Sequence, residues 1–246
     1  MNASKKLIKN DKRALPKSDA PNSLNAEKQY FLIKFLINKA TKKYEFCVNK
    51  PSAPTIFVAR HLDMHGPTTI LKSANFNLHA FILSDVLSFK KCFDLFYNYT
   101  FSKKIHLFKP LAIVPAFLAS LIAPPICRLS NPVPVYRNSA SSILTIKTAV
   151  SYLELGKNLI VFPDVNYSSK KDEISEIYNG FLLVDKLFYK KHGEHVNFVP
   201  LIIDEKNRKI LELPAVNFSG NQDYDIEKEE ISKKLKESIF LKQFKA

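Results

Sequence analysis

Short apolar runs alternate along this chain with stretches of helical period, and polar or glycine-containing loops separate them. Residues 1–23 are rich in Lys, Asn, Ser and Pro and read as a mobile basic tail. Residues 24–246 read as one domain that opens with a helical segment over 24–50. There Asn25 can cap a helix running to Lys43, and Tyr30–Ile33 with Phe35–Ile37 makes it apolar nearly all round. Thr55–Ala59 reads as a strand, then a loop at His61, then a helix-compatible stretch over Thr68–Ser73. Phe81–Ser84 can be a second strand, and Phe89–Phe101 is aromatic and helical. Phe108–Cys127 is a long apolar stretch interrupted by prolines. Val133–Tyr136 is a short strand ending at Arg137. Ser139 can cap a helix with apolar positions Ile143, Ile146, Val150 and Leu153, closed by Gly156. Asn158–Phe162 is a strand running into Pro163 and Asp164, and Ile174–Lys191 reads as a helix with Gly180 inside it. Val196–Ile203 and Lys209–Phe218 read as strands. Asp225–Phe240 is an amphipathic helix with Ile231, Leu235 and Ile239 on one face. Strands alternating with helices predict an α/β fold, a largely parallel central sheet flanked by helices, with the apolar helix at its N-terminal side.

Composition narrows the setting. A chain of 246 residues with 46% hydrophobic content can bury a sizeable core. The net charge of +14 attracts polyanions, either nucleic acid or an anionic membrane. No RNP, zinc-finger or helix-turn-helix signature accompanies that charge, which argues against nucleic acid. The apolar helix at 30–37 packs on the domain by default or else lies in a membrane surface; together with the stretch 111–127 and the charge it favours an anionic membrane, bound peripherally. The stretch 111–127 falls short of the ~20 residues that a spanning helix needs. The polar start has no apolar core of a signal peptide. Cys47, Cys92 and Cys127 are odd in number and widely spaced, as free thiols of a reducing cytosol are. The expected location is therefore the cytoplasmic face of a membrane.

The densest chemistry lies in Arg60-His-Leu-Asp-Met-His-Gly-Pro67. It follows a strand, and ligands of open α/β sheets bind at the carboxyl ends of strands. His61 can cap backbone groups there. It can instead join Asp63 and His65 as a metal ligand, although no further His/Cys cluster stands at a recognisable spacing. It can also act as a general base, because its pKa lies near neutrality. Two more loops follow predicted strands. One holds Arg137, whose planar fork suits phosphate. The other is Pro163-Asp-Val-Asn-Tyr-Ser-Ser169, with Asp164, Asn166 and Ser168.

These blocks, in this order, resemble the glycerolipid acyltransferase family, whose best-known members are the 1-acylglycerol-3-phosphate acyltransferases. Its first block is His-x4-Asp. Its second is a short strand ending in Arg. Its third is Phe-Pro-Glu-Gly-Thr-Arg-Ser, and its fourth is an apolar strand with a Val-Pro core. This chain has Arg60–Pro67, Val133–Arg137, Phe162–Ser168 and Phe198–Ile202 at those places, so the resemblance spans about residues 55–203. It implies acyl transfer from acyl-CoA or acyl carrier protein to a hydroxyl of a lysophosphatidic acid-like lysophospholipid. His61 would be the base and Asp63 the nearest carboxylate. Arg137 would hold the acceptor phosphate, and Asp164, Asn166 and Ser168 would position the acceptor. No metal or bound cofactor is implied. The family's aspartate, five residues after the histidine, is Gly66 here, and Val165 and Tyr167 replace its Gly and Arg. A Gly66→Asp exchange should restore the missing acid if the loop keeps the family geometry. The missing acid also leaves room for a non-catalytic, lipid- or membrane-binding descendant of the same fold.

Overall fold

The computed structural model describes residues 44–62, 64–137, 141–165 and 176–241. The expected tail, the expected helix Asn25–Lys43, Asp63, Ser139, Asn166 and Ser168 lie outside the described residues. The strands are β1 (Glu45–Cys47), β2 (Thr55–Val58), β3 (Leu78–Leu83), β4 (Val133–Val135), β5 (Asn158–Val161), β6 (Asn197–Asp204) and β7 (Lys209–Glu212). They form one seven-stranded sheet in the order β1-β7-β6-β2-β5-β3-β4. Only β6 and β7 pair antiparallel, so the expected largely parallel α/β fold is present.

The central strands explain their own composition. Every residue of β2 and β5 is buried, and after their polar first residues, Thr55 and Asn158, both read as apolar runs rather than alternating ones. Alternate side chains then serve two cores. Ile56, Val58, Leu159 and Val161 face one way, and Phe57, Ala59 and Ile160 the other. The first core takes helices α4 (Ser142–Glu154), α5 (Leu183–His192) and α6 (Tyr224–Leu241). The second takes α1 (His65–Ser73) through Ile70, and Tyr44 and Val48 from the chain around β1. As expected, α6 buries Ile231, Leu235 and Ile239. Gly156, at φ +66°, closes α4, with its N–H donated to the Leu153 carbonyl at 2.9 Å.

Several expected elements differ. β1 falls inside the segment expected to be helical over 24–50, which is corrected there: pairing with β7 makes Glu45–Cys47 a strand, and three residues on a sheet edge are too few for a period to show. Ile143 is 49% exposed, and α4 instead buries Thr145, Ile146, Ala149, Val150 and Leu153. The helix expected over Ile174–Lys191 begins later. Ile177 forms an antiparallel bridge with Asp164, and Gly180–Leu182 makes a 3-10 turn that leads into α5. Pairing with the chain after β5 outweighs the local helical period there. The aromatic stretch is α2 (Phe89–Leu95) continued by a wider π-helical segment, Phe96–Lys104. There the Ser102 hydroxyl donates to the Tyr97 carbonyl five residues back, at 2.6 Å. The stretch expected to be too short for a span is a 21-residue helix, α3 (Lys109–Leu129), with Pro115, Pro124 and Pro125 inside it. By length and composition it could cross a membrane.

Leu159 is wholly buried in the strand that links β2 to β3. Leu159→Ala should lower unfolding free energy by about 2–5 kcal/mol. Leu155→Ala, at a 70% exposed position, should change it by less than about 0.5 kcal/mol. Urea midpoints at constant slope measure both, and equal effects would misplace the core.

Candidate active site

β2 and β5 are parallel and aligned, with Val58 opposite Val161. His61 and Asp164 follow those two residues at equal offsets. They therefore stand side by side where the central strands run out. The ladder continues one step, as the Ala59 N–H donates to the Val161 carbonyl at 3.1 Å. The His61 backbone N–H then donates to Asp164 Oδ2 at 3.1 Å. The imidazole itself stands edge-on to Phe162, with ring centroids 6.1 Å apart, and is half-buried.

Asp164 is 1% exposed, and so is no freely accessible group. Its Oδ2 lies 3.9 Å from Nε of Arg60, which is itself 2% exposed. The Arg60 guanidinium sits 4.2 Å from the ring centroid of Phe240, on α6. Burial pushes the Asp164 carboxyl up to about 6, against the pull of the His61 N–H and the Arg60 charge. Arg60 is a residue that sequence reasoning passed over. The signal was available: a full charge directly follows a run that must be buried on both faces.

The chain turns sharply after His61. Leu62 takes φ +45°, a left-handed conformation uncommon outside glycine. The His65 N–H then donates to the Leu62 carbonyl at 3.0 Å and the Gly66 N–H to the His61 carbonyl at 3.1 Å, which starts α1. Gly66 is buried against the backbone it follows. A Cβ placed there would lie 2.0 Å from the Arg60 carbonyl oxygen and 2.9 Å from that of His61. The expectation that an aspartate at 66 would restore the family's acid is therefore corrected. Space excludes any side chain, and positive φ is not the reason.

His65 points to other partners. Its Nε2 lies 3.3 Å from Glu205 Oε1, and its Nδ1 lies 3.4 Å from the Thr69 hydroxyl. Among the described residues no group of three or more His, Cys, Asp and Glu could hold a metal ion.

Arg137 lies just past β4, two strands from β5 at the same edge. Thr145 of α4 fixes that strand end. Its hydroxyl donates to the Pro134 carbonyl at 2.8 Å and accepts the Tyr136 N–H at 3.1 Å. The exposed Arg137 guanidinium lies 4.7 Å from the ring centroid of Tyr178. Tyr178 in turn donates its N–H to the Pro163 carbonyl at 2.8 Å, and Val165 donates to Glu176 at 2.9 Å. Tyr178 thus carries Arg137 toward the chain that holds Asp164. It was hidden because its segment reads as helix. The structure brings His61, Asp164 and Arg137 to one sheet edge and sends His65 toward Glu205. No family model, curated protein or solved structure matches this chain.

Gly66→Ala should cost more than about 2 kcal/mol, because rigid backbone must move. Gly66→Asp should cost at least as much and bring no gain in activity. A folded Gly66→Asp protein of wild-type melting temperature would refute the crowding.

Asp164 carries a sign that titration can read. A carboxyl raised in the folded state binds its proton more tightly there than in the unfolded chain. It therefore lowers stability as pH rises from 3.8 to about 6, with no further change above. The wild-type minus Asp164→Asn difference in unfolding free energy should fall across that window. A difference that rises instead would mean that Arg60 and the His61 N–H outweigh desolvation.

Proposed function

We propose that this protein transfers an acyl chain from a thioester, acyl-CoA or acyl carrier protein, to a hydroxyl of a lysophosphatidic acid-like acceptor. The observation that carries the proposal is the convergence of His61, Asp164 and Arg137 on the carboxyl edge of the sheet, from loops after three separate parallel strands. Ligands of open α/β sheets bind at that edge. The order of blocks in the sequence adds to it.

In this reading the His61 imidazole takes the acceptor's hydroxyl proton as the oxygen attacks the thioester carbonyl. The new C–O bond forms and the C–S bond breaks. The imidazolium then returns its proton to the leaving thiolate, so the histidine ends neutral. Arg137 pairs with the acceptor phosphate. Asp164 acts as a positioning residue: it holds His61 by the backbone, rather than touching the acceptor as the resemblance implies. The reaction belongs to phospholipid synthesis, beside a membrane that supplies the acceptor. No metal or cofactor enters these steps.

A second reading has its own support. The crowding at Gly66 leaves no room for the acid that orients the histidine in the family. A descendant that binds lysophospholipid without turnover would tolerate that loss.

His61→Ala should lower kcat by about 10²–10⁴ or more while the fold stays intact. Arg137→Ala should raise the acceptor KM about tenfold to a hundredfold, and Arg137→Lys should restore part of it, since the fork geometry is lost. The measurement is transfer from both donor types to lysophosphatidic acid. Wild-type protein that binds this acceptor and transfers nothing from either donor would establish the second reading. His61→Ala at wild-type rate would end the catalytic assignment.

A further inference from the structure

The connection between β3 and β4 is a helical insertion built from α2, the π-helical segment and α3. It leaves the sheet at Leu83, the carboxyl end of β3. Arg128, in the last turn of α3, donates from Nε to the Leu87 carbonyl at 2.8 Å, tying that helix end near the same edge.

α3 reverses the usual arrangement of a surface helix, whose outer face is polar. Ala112, Ala116 and Ser120 are buried at intervals of one turn, so its inner stripe consists of small residues. Its outer face carries Leu111, Val114, Leu118, Leu121 and Ile122, exposed by 48–64%. At the turn before α3, Ile105 and Phe108 are 55% and 72% exposed. Lys103, Lys104 and Lys109 are exposed around that apolar tip. Over residues 84–130 the basic residues are Lys90, Lys91, Lys103, Lys104, Lys109 and Arg128, and the acids are Asp85, which pairs with Lys91 at 3.3 Å, and Asp94.

We propose that this insertion docks in the plane of an anionic bilayer. The outer face of α3 and Phe108 lie among the acyl chains, and Lys103, Lys104 and Lys109 lie at the headgroups. Protein-binding faces are only about as apolar as ordinary protein surface overall, whereas this one is apolar along the helix with positive charge at its N-terminal end. An in-plane pose also follows from the backbone. Pro115 and Pro125 leave the carbonyls of the exposed residues Leu111 and Leu121 without their helical N–H donors. Near headgroups those two carbonyls can take water, which the centre of a bilayer does not offer. The small-residue stripe keeps α3 on the domain, so it embeds without detaching. The docking does not require that the site transfer acyl chains.

The chain has no tryptophan, so one introduced tryptophan is a silent-background reporter. In the full chain, Leu118→Trp should shift its emission to the blue on vesicles of phosphatidylcholine with phosphatidylglycerol. Nitroxides placed high on the acyl chain should quench it more than nitroxides at the chain end. Leu155→Trp, in the exposed turn after α4, should respond to neither. Replacing Lys103, Lys104 and Lys109 together by Gln should weaken vesicle binding about tenfold or more. Val114→Glu with Leu118→Glu should abolish co-sedimentation at unchanged melting temperature, because both sites are exposed. Any one of four results overturns the proposal. The first is no shift of Leu118→Trp on anionic vesicles. The second is the same response on pure phosphatidylcholine. The third is quenching strongest at the chain end, the mark of a spanning helix. The fourth is a shift that follows protein concentration without lipid, which assigns the face to a second copy of the chain.

Discussion

A carboxylate with almost no contact with water stands where the two central strands run out, and the geometry of the sheet's carboxyl edge depends on it. Burying Asp164 is costly, since an ionised carboxylate loses its hydration. The backbone N–H of His61 and the charge of Arg60 offset part of that cost and leave the carboxyl raised to about 6. Arg60 is buried too, and the ring of Phe240 covers it. One chain of contacts therefore runs from the last turn of α6, through Arg60 and Asp164, to the backbone of the candidate base. Strands that are distant in sequence meet there because β2 and β5 pair in register.

The tight start of α1 is the other half of the same arrangement. The left-handed turn at Leu62 and the two hydrogen bonds that follow bring Gly66 against the carbonyls of Arg60 and His61. The His-x4-Asp pattern would put a carboxylate at that place, and here there is space only for hydrogen. Among the described residues an acid comes instead from the end of the neighbouring strand, where Asp164 accepts the backbone N–H of the histidine. Arg137 reaches the edge by a different route. Thr145 clasps the end of β4, and the ring of Tyr178 connects the guanidinium to the segment that pairs with Pro163 and Val165.

The sheet also explains why the helical insertion can be so apolar on its outside. The insertion is held by its inner stripe of small residues and by the Arg128 contact, and the two cores of the sheet do not include its outer face. Among the described residues nothing packs over the hydrophobic outer face of α3.

Much of the architecture is legible in the local pattern. β2 and β5 announce themselves as apolar runs between polar loops, because strands buried on both faces are mostly apolar, with Thr55 and Asn158 as polar first residues. α6 shows its face through Ile231, Leu235 and Ile239, and Gly156 marks the end of α4 by the conformation it alone takes easily. The positions of His61, Asp164 and Arg137 after strands could be read for the same reason. What the pattern left open depends on residues far apart in the chain. The bridge between Asp164 and Ile177 replaced an expected helix, because pairing across a loop has no period. Three-residue β1 took its place only by joining β7. The burial of Arg60 and the crowding at Gly66 arise from how closely backbone passes backbone. The sequence by itself determined the α/β alternation and the residues that reach the sheet edge, because those follow from burial and local propensity. Tertiary structure alone decided that Asp164 grips the histidine's backbone and that no side chain fits at 66, because both are matters of distance between segments that only the folded sheet brings together.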